Sequence, residues 1–281
     1  EKGASGALVE SHQTHSDLPQ LAVGDTLVAL QKLAQAHRKR LKGKVIALSG
    51  SSGKTSAKEL IAQILGEGTH KTQGNFNNHI GLPLTLLQAP IEAPFVVLEA
   101  GISAAGEMAA LADIATPDAA TLTMIGSAHL EFFKTKQTTA REKGLLLSKI
   151  QKNGFGVLHA AEMEFQALRE LPARMIILGA TPQKLPAHYI IEPIAITEKP
   201  EGWELKFEHG SYELPLVTPG MARNAAIGIR LGLELGIEPK LIQARLRSLQ
   251  TPELRGAWVK VAGSPHPCAQ IYFDAYNCNP E

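Results

Sequence analysis

The feature that most constrains the fold of this chain is a glycine-rich hexapeptide that lies between an apolar run and a helical segment. The apolar run covers residues 45–48, and the helix is predicted from Lys54 to about Leu65. The hexapeptide between them is Gly50-Ser51-Ser52-Gly53-Lys54-Thr55. In this context the loop's backbone N–H groups can converge on phosphate oxygens, and the helix N-terminus adds positive potential. The motif predicts a nucleoside-triphosphate site in the shorter GxxGKT form, since Leu48 stands where the longer motif has its first glycine.

Apolar runs and helical segments alternate along the rest of the chain. The further runs cover residues 95–98, 119–125, 156–158 and 175–178, and one of the intervening helices is predicted at 139–150. Continuous apolar strands that alternate with helices predict an α/β fold, with a mostly parallel central sheet flanked by helices.

Other segments complete the predicted secondary structure. Two short strands joined by a polar loop are predicted in residues 1–24, followed by a helix capped by Asp25 and Thr26. The basic cluster at 37–40 is interpreted as the solvated end of that helix. Residues 188–217 predict an antiparallel meander at the sheet edge, followed by helices near 221–235 and 239–248 and strands near 257–262 and 269–273.

Composition excludes several classes of function. The 281 residues include 28 Lys and Arg against 27 Asp and Glu, so a net charge of +1 argues against nucleic-acid binding driven by charge. No window approaches the run of about 18 apolar residues that a membrane span needs, and the N-terminus does not resemble a secretory signal. Cys268 and Cys278 form no CxxC pair, which favours a reduced, cytoplasmic compartment.

Three residues with metal-binding chemistry follow predicted strands or lie on a predicted helix. Glu99 ends the run at 95–98, His129 follows the run at 119–125, and Lys143 lies 14 residues later on a helix. Each alone has an ordinary interpretation, namely a surface carboxylate, a hydrogen-bonded histidine and a solvated lysine. Ligands bind at the carboxyl ends of parallel strands, so the set becomes a candidate site when it accompanies a phosphate loop.

The set resembles the Mur ligase family, and within it the ligase that adds D-alanyl-D-alanine. The segments that carry the resemblance are the phosphate loop, Gly74-Asn75-Phe76-Asn77-Asn78-His79-Ile80-Gly81, Leu98-Glu99-Ala100-Gly101, Ala128-His129-Leu130-Glu131 and Phe273-Asp274-Ala275-Tyr276-Asn277. Three positions depart from the family pattern. The His-Asn pair near the adenine is missing from residues 219–224, Phe273 replaces an Asp, and the Gly-Arg pair is inverted at Arg255-Gly256.

The resemblance implies ATP and two Mg²⁺ ions as cofactors. Lys54, His129 and Lys143 are then the catalytic residues, with Lys143 carbamylated. Thr55 and Glu99 would hold the first metal, and His129 and Lys143 the second. Further expected contacts with ATP are Gly50, Ser51, Ser52, Gly53, Lys54, Thr55, Asn224 at the adenine, Asp274 at the ribose and Arg255 at phosphate. Asn75, Asn77 and Asn78 are expected to bind substrate.

The resemblance also implies partners and domains. The partners are UDP-MurNAc-tripeptide and D-alanyl-D-alanine, joined in peptidoglycan precursor synthesis by a cytoplasmic monomer, with no nucleic acid and no membrane span. The chain is expected to be truncated at both ends. Residues 1–24 would end an N-terminal UDP-binding domain, 25–272 would form the central ATP-binding domain, and 273–281 would lead into a C-terminal domain.

Three alternatives remain open at this point. The chain could be another Mur-type ligase, tripeptide-forming or of the folylpolyglutamate type. It could be a P-loop ATPase or small-molecule kinase, which needs Lys54 and Thr55 but neither the asparagine run nor a carbamylated lysine. It could also be an ATP-binding module without catalysis, which the altered segment at 219–224 favours.

Overall fold

The computed structural model describes residues 3–15, 17–126 and 133–249, together with the backbone of strands at 255–260 and 270–274. The strands, in chain order, are β1 Ala7–Val9, β2 Gln20–Ala22, β3 Lys44–Ser49, β4 His70–Lys71, β5 Phe95–Glu99, β6 Ala119–Leu122, β7 Phe155–His159, β8 Arg174–Leu178, β9 Tyr189–Glu192, β10 Ile194–Lys199, β11 Gly202–Phe207, β12 Gly210–Leu214, β13 Arg255–Lys260 and β14 Gln270–Asp274. The helices are α1 Thr26–Arg38, α2 Lys54–Leu65, α3 Gly81–Gln88, α4 Glu107–Ala115, α5 Lys136–Ser148, α6 Gln166–Arg169, α7 Pro219–Glu234 and α8 Pro239–Arg247, with a 3-10 turn at Ala160–Glu164.

A seven-stranded sheet in the order β4-β5-β3-β6-β7-β8-β9 forms the centre of the molecule. Each neighbouring pair in this sheet is parallel. The order places β3, which precedes the glycine-rich loop, between β5 and β6. Since the carboxyl ends of parallel strands share one edge, Glu99 and the segment after Leu122 lie on either side of that loop. The predicted α/β class is confirmed.

Helices cover both faces of the sheet, which explains why its strands are continuously apolar. Val45 and Ala47 pack into a core with α1, α3, α4 and α5. Ile46 and Leu48 point to the opposite face, where α2, α7, α8 and the antiparallel strands form a second core. The two-residue alternation along β3 therefore separates two cores on the two faces of one sheet.

The predicted meander at 188–217 is partly wrong. Tyr189–Glu192 pairs parallel with β8 and forms the last strand of the central sheet. The antiparallel part is a separate three-stranded sheet, β10-β11-β12. Its Trp203 and Phe207 are buried in the core with α2 and α7, so this sheet covers a face and does not extend the edge.

Two other expectations need correction. The apolar run at 119–125 remains a strand only to Leu122, because Thr123 and Met124 leave the sheet to contact the glycine-rich loop. The basic cluster at 37–40 is not wholly solvated. Arg38 is buried, and its guanidinium donates to the carbonyls of Ala115 and Thr116 and to Asp118.

Most of the remaining helices and strands begin and end close to the predicted residues. Asp25 caps α1 through the backbone N–H of Val28, and α2 runs from Lys54 to Leu65 as predicted. Strand β4 was not predicted, and helices α3 and α4 were predicted only as intervening helical segments without bounds. No helix in the described part of the chain is long and apolar enough to cross a membrane.

Candidate nucleotide and metal site

The glycine-rich loop joins β3 to α2 and is held by the segment that follows β6. Gly50 has a φ of 151°, and a Cβ there would lie 1.9 Å from the hydroxyl oxygen of Thr123. Thr123 donates its backbone N–H to the Ser49 carbonyl at 2.9 Å, and its hydroxyl donates to the carbonyl of Ser52. The absence of a side chain at Gly50 therefore lets Thr123 approach closely enough to fix the loop.

Ser51 ties the loop to the same segment. Its backbone N–H donates to the Met124 carbonyl at 2.9 Å, and its hydroxyl accepts the Gly126 N–H at 2.9 Å. The backbone N–H and the hydroxyl of Ser51 therefore both point toward residues 124–126. Gly53 begins α2 with a φ of 76°, a conformation that favours glycine, and its carbonyl lies 3.4 Å from the Nδ2 of buried Asn224.

Lys54 is folded back over the loop. Its Nζ donates to the carbonyl of Gly50 at 3.0 Å and to that of Ser51 at 3.4 Å. These are neutral acceptors, and phosphate oxygens would bind the ammonium more strongly because they carry charge.

Thr55, Glu99 and Asn77 form a hydrogen-bonded group at the start of α2. The Thr55 hydroxyl donates to Oε1 of Glu99 at 3.4 Å, and Asn77 Nδ2 donates to the same oxygen at 2.8 Å. Glu99 is only 1% exposed, so the interpretation of it as a surface carboxylate is wrong. Its Oε2 has no hydrogen-bond donor within the described residues.

This group fits Mg²⁺. A hydroxyl and a carboxylate are hard oxygen ligands, and Mg²⁺ in nucleotide sites takes one or two protein ligands beside phosphate and water. Burying a carboxylate costs free energy, and a cation beside Oε1 and the Thr55 hydroxyl would offset that cost. The described residues contain no cluster of three or more His, Cys, Asp or Glu that could hold a metal without other ligands.

The three asparagines of the predicted substrate segment have different surroundings. Asn77 contacts Glu99, and Gly101 permits this because a Cβ there would lie 2.8 Å from the Asn77 side chain. Asn78 accepts the N–H groups of Ile80 and Gly81 and so stabilises the start of α3. Asn75 is exposed.

Lys143 is buried on α5, with 1% of its surface exposed, so the interpretation of it as a solvated helix residue is wrong. Burial, and to a smaller extent the positive charge of Lys54, lower its pKa from 10.5 to about 7. A substantial fraction of Lys143 is therefore a neutral amine near pH 7.

A second buried group lies on the other side of the loop and was missed by the sequence analysis. Glu162 accepts the Ile125 N–H at 3.1 Å, and burial raises its pKa to about 7. His159 lies 2.9 Å from the Arg223 carbonyl, and burial lowers its pKa to about 4, so its neutral ring donates from Nε2. His159 ends β7 and Glu162 lies three residues later, so their positions after a strand were a signal for a site. Neither residue belongs to a recognisable motif.

Three predicted site residues fall wholly or partly outside the described residues. His129 lies in the segment 127–132, which is not described. Arg255 and Asp274 lie on β13 and β14, where only the backbone is described. The antiparallel register places these two positions directly opposite each other.

Comparisons with known proteins show what the chain is similar to. The sequence model described as Mur ligase middle domain matches residues 48–231. The UDP-N-acetylmuramoyl-tripeptide–D-alanyl-D-alanine ligase of Bacillus subtilis (strain 168) is 32% identical over 92% of this chain and 55% of its own length. The ligase of the same name from Escherichia coli (strain K12) is 32% identical over 99% of this chain and 61% of its own length.

A solved structure is similar over a comparable span. The MurF ligase from Thermotoga maritima in complex with ADP is 27% identical, with a TM-score of 0.82, over 99% of this chain and 64% of that one. The chain thus spans 55% and 61% of the length of the two curated relatives named above.

Proposed function

This chain belongs to the Mur ligase family, and from that premise we propose that it is an ATP-dependent amide ligase joining D-alanyl-D-alanine to UDP-N-acetylmuramoyl-tripeptide. The observation that carries the proposal is the hydrogen-bonded group of Thr55, Glu99 and Asn77 at the phosphate loop. This group joins the phosphate loop to the asparagine segment. A simple ATPase or kinase needs the phosphate loop but not the asparagine segment. The names of the relatives supply the substrates.

The reaction requires activation of a carboxylate, because its negative charge makes it a poor electrophile. Transfer of the γ-phosphoryl group of ATP to the terminal carboxylate of the tripeptide gives an acyl phosphate and ADP. The amine of D-alanyl-D-alanine attacks the acyl carbon, the amide bond forms, and phosphate leaves with the bonding electrons while the amine loses a proton. Such a transfer depends on positioning and charge neutralisation more than on covalent help from the protein.

The phosphate loop would supply the positioning. We infer that residues 50–55 contact the phosphates and that Lys54 leaves the carbonyls of Gly50 and Ser51 to bind β/γ oxygens. Thr55 and Glu99 would hold one Mg²⁺, which supplies positive charge at the phosphates when bound. Asn77 would hold Glu99 in place, and Asn75 and Asn78 would bind substrate.

Lys143 would carry the second metal with His129 after carbamylation. The neutral amine attacks CO₂, forming an N–C bond and releasing a proton, so a cationic side chain becomes an anionic one. Burial favours this reaction because it keeps the amine unprotonated. The change also turns repulsion between Lys143 and Lys54 into attraction, and it provides oxygen ligands for Mg²⁺.

The remaining assignments are part of the same proposal. Asn224 would contact the adenine, Asp274 the ribose and Arg255 a phosphate. Residues 1–24 would end a UDP-binding domain, 25–272 would form the ATP-binding domain, and 273–281 would lead into a C-terminal domain. The reaction would take place in the cytoplasm, as a step of peptidoglycan precursor synthesis by a monomer.

The deciding experiment measures ATP turnover by the full protein with UDP-MurNAc-tripeptide, with and without D-alanyl-D-alanine. Phosphate release that requires both substrates, together with formation of the pentapeptide product, is expected. Equal ATP hydrolysis without either substrate would indicate a plain ATPase. Turnover with a single amino acid in place of the dipeptide would indicate a sister ligase, and no turnover would indicate a binding module.

A further inference from the structure

Lys58 is a buried lysine that no assignment above uses. It lies on α2, one turn after Lys54 and Thr55, and is only 1% exposed. Burying an ammonium group is costly unless it is paired, so its surroundings must compensate for lost hydration.

The ammonium of Lys58 joins three parts of the candidate site. It lies 3.9 Å from Oε2 of Glu99 at the end of β5 and 3.2 Å from Oε1 of Glu59 on its own helix. It also donates to the Gly74 carbonyl at 3.4 Å, in the loop that carries the asparagines. Lys58 is thus the common neighbour of the carboxylate and of the loop that supplies Asn77.

The two oxygens of Glu99 have separate neighbours. Oε1 accepts from Thr55 and Asn77. Oε2 has no hydrogen-bond donor within the described residues, and the Lys58 ammonium is its ion-pair partner there. Lys58 is also paired with Oε1 of Glu59, at the shorter distance of 3.2 Å, while the other oxygen of Glu59 is paired with Lys71. Lys58 therefore lies beside the oxygen of Glu99 that does not face Thr55.

We propose that Lys58 is a positioning residue for the metal site, which holds Oε2 of Glu99 and the backbone of Gly74 so that Oε1 and Asn77 stay beside Thr55. This inference rests on the proposed function, because it takes Thr55 and Glu99 as ligands of Mg²⁺. Two effects of the ammonium oppose each other. It orders the ligands, which favours Mg²⁺ binding, and it repels a nearby cation, which disfavours it. We take ordering as the larger effect, because Lys58 lies beside Oε2 and leaves Oε1 as the oxygen beside Thr55.

The test compares Lys58→Met with Lys71→Met in the full protein. Both remove a lysine that pairs with Glu59, but only Lys58 contacts Glu99, so Lys71→Met is the matched control. ADP affinity is measured by calorimetry in EDTA and in saturating Mg²⁺, and the ratio of the two affinities reports the metal. Loss of a residue that orients a ligand costs about 10- to 100-fold in metal affinity.

In Lys58→Met, this ratio should fall about tenfold or more while ADP affinity in EDTA changes little. Lys71→Met should behave as the parent does. A ratio in Lys58→Met equal to the parent's, or larger, would overturn the positioning role and leave the proposed function standing. If Mg²⁺ fails to strengthen ADP binding by the parent, the metal site of the proposed function is wrong and this inference fails with it.

A second measurement covers the case in which Lys58→Met unfolds. The urea midpoints of Lys58→Met, Glu99→Gln and the double variant are measured without metal or nucleotide. If Lys58 holds the Glu99 carboxylate, removing the lysine should lower the midpoint much less in the Glu99→Gln background than in the parent. A double variant as destabilised as the sum of the two single variants would contradict the pairing.

Discussion

Replacing Glu162 by glutamine should change how the stability of the protein depends on pH. Glu162 is 4% exposed and accepts the backbone N–H of Ile125, an interaction that the glutamine amide oxygen can retain. Burial raises the pKa of its carboxyl from 4.5 to about 7, opposed in part by the Ile125 N–H and the charge of Arg223. The variant therefore removes the titration and keeps the shape of the side chain.

The sign and size follow from linkage. Between pH 4.5 and about 7 the folded protein retains a proton on Glu162 that the unfolded chain has released. The contribution of this group to the free energy of unfolding therefore falls as pH rises through that range and levels off above it. One pKa unit corresponds to about 1.4 kcal/mol, so the full loss is on the order of 3 kcal/mol.

The assay is urea unfolding of the parent and Glu162→Gln at several pH values from 4.5 to 8. The variant should gain stability relative to the parent as pH rises, by a difference that reaches about 3 kcal/mol near pH 8. Glu164→Gln, an exposed neighbour on the same turn whose charge is the smallest cause of the shift, is the matched control and should show a much smaller trend. If the free energy of unfolding of the parent instead rises relative to that of Glu162→Gln as pH increases, the carboxylate is ionised and paired, and the reasoning is refuted.

Three further changes test the site and the fold. Lys143→Ala should abolish ligation in the coupled assay and leave ADP binding nearly intact by calorimetry; substantial ligation by this variant would refute the carbamate role. Gly50→Ala places a Cβ 1.9 Å from the Thr123 hydroxyl, and this overpacking should lower the free energy of unfolding in urea by about 1–3 kcal/mol; an unchanged urea midpoint would contradict the close contact. Arg38→Met removes one donor each from the carbonyls of Ala115 and Thr116 and from Asp118, which still accepts from the Val45 N–H, so the free energy of unfolding should fall by about 1–3 kcal/mol in urea; a loss below about 0.5 kcal/mol would show that the cluster is solvated after all.

The central sheet was predictable because each of its strands is marked by a pattern within its own short stretch of sequence. Each central strand is buried on both faces, which requires a continuous apolar run, and the alternating helices require parallel connections. The meander was misassigned because Tyr189–Glu192 is an edge strand with Ile190 and Ile191 exposed. Its pattern does not differ from that of an antiparallel strand, and its pairing partner β8 is determined by tertiary packing.

The site was predictable where chemistry and motif coincide. The proximity of Thr55 and Glu99 beside the loop that carries Lys54 was predictable, because a phosphate loop and a strand end are visible in the sequence. The burial of Lys143 was not, since a lysine on a helix is normally solvated and only the packing of α5 shows otherwise. Thr123 was missed because its role depends on a close approach across two strands, from β6 to the loop after β3.

Lys58 shows why the sequence alone could not have completed the site. Its spacing from Lys54 places both lysines on one side of α2, which suggests a solvated basic face. In the folded protein the first remains half-buried beside the loop carbonyls, whereas the second is enclosed between β5 and the asparagine loop. The difference arises because Gly74 and Glu99, distant in sequence, converge over one turn of the helix. A charge whose partners come from two other segments cannot be distinguished from a surface charge until those segments are placed.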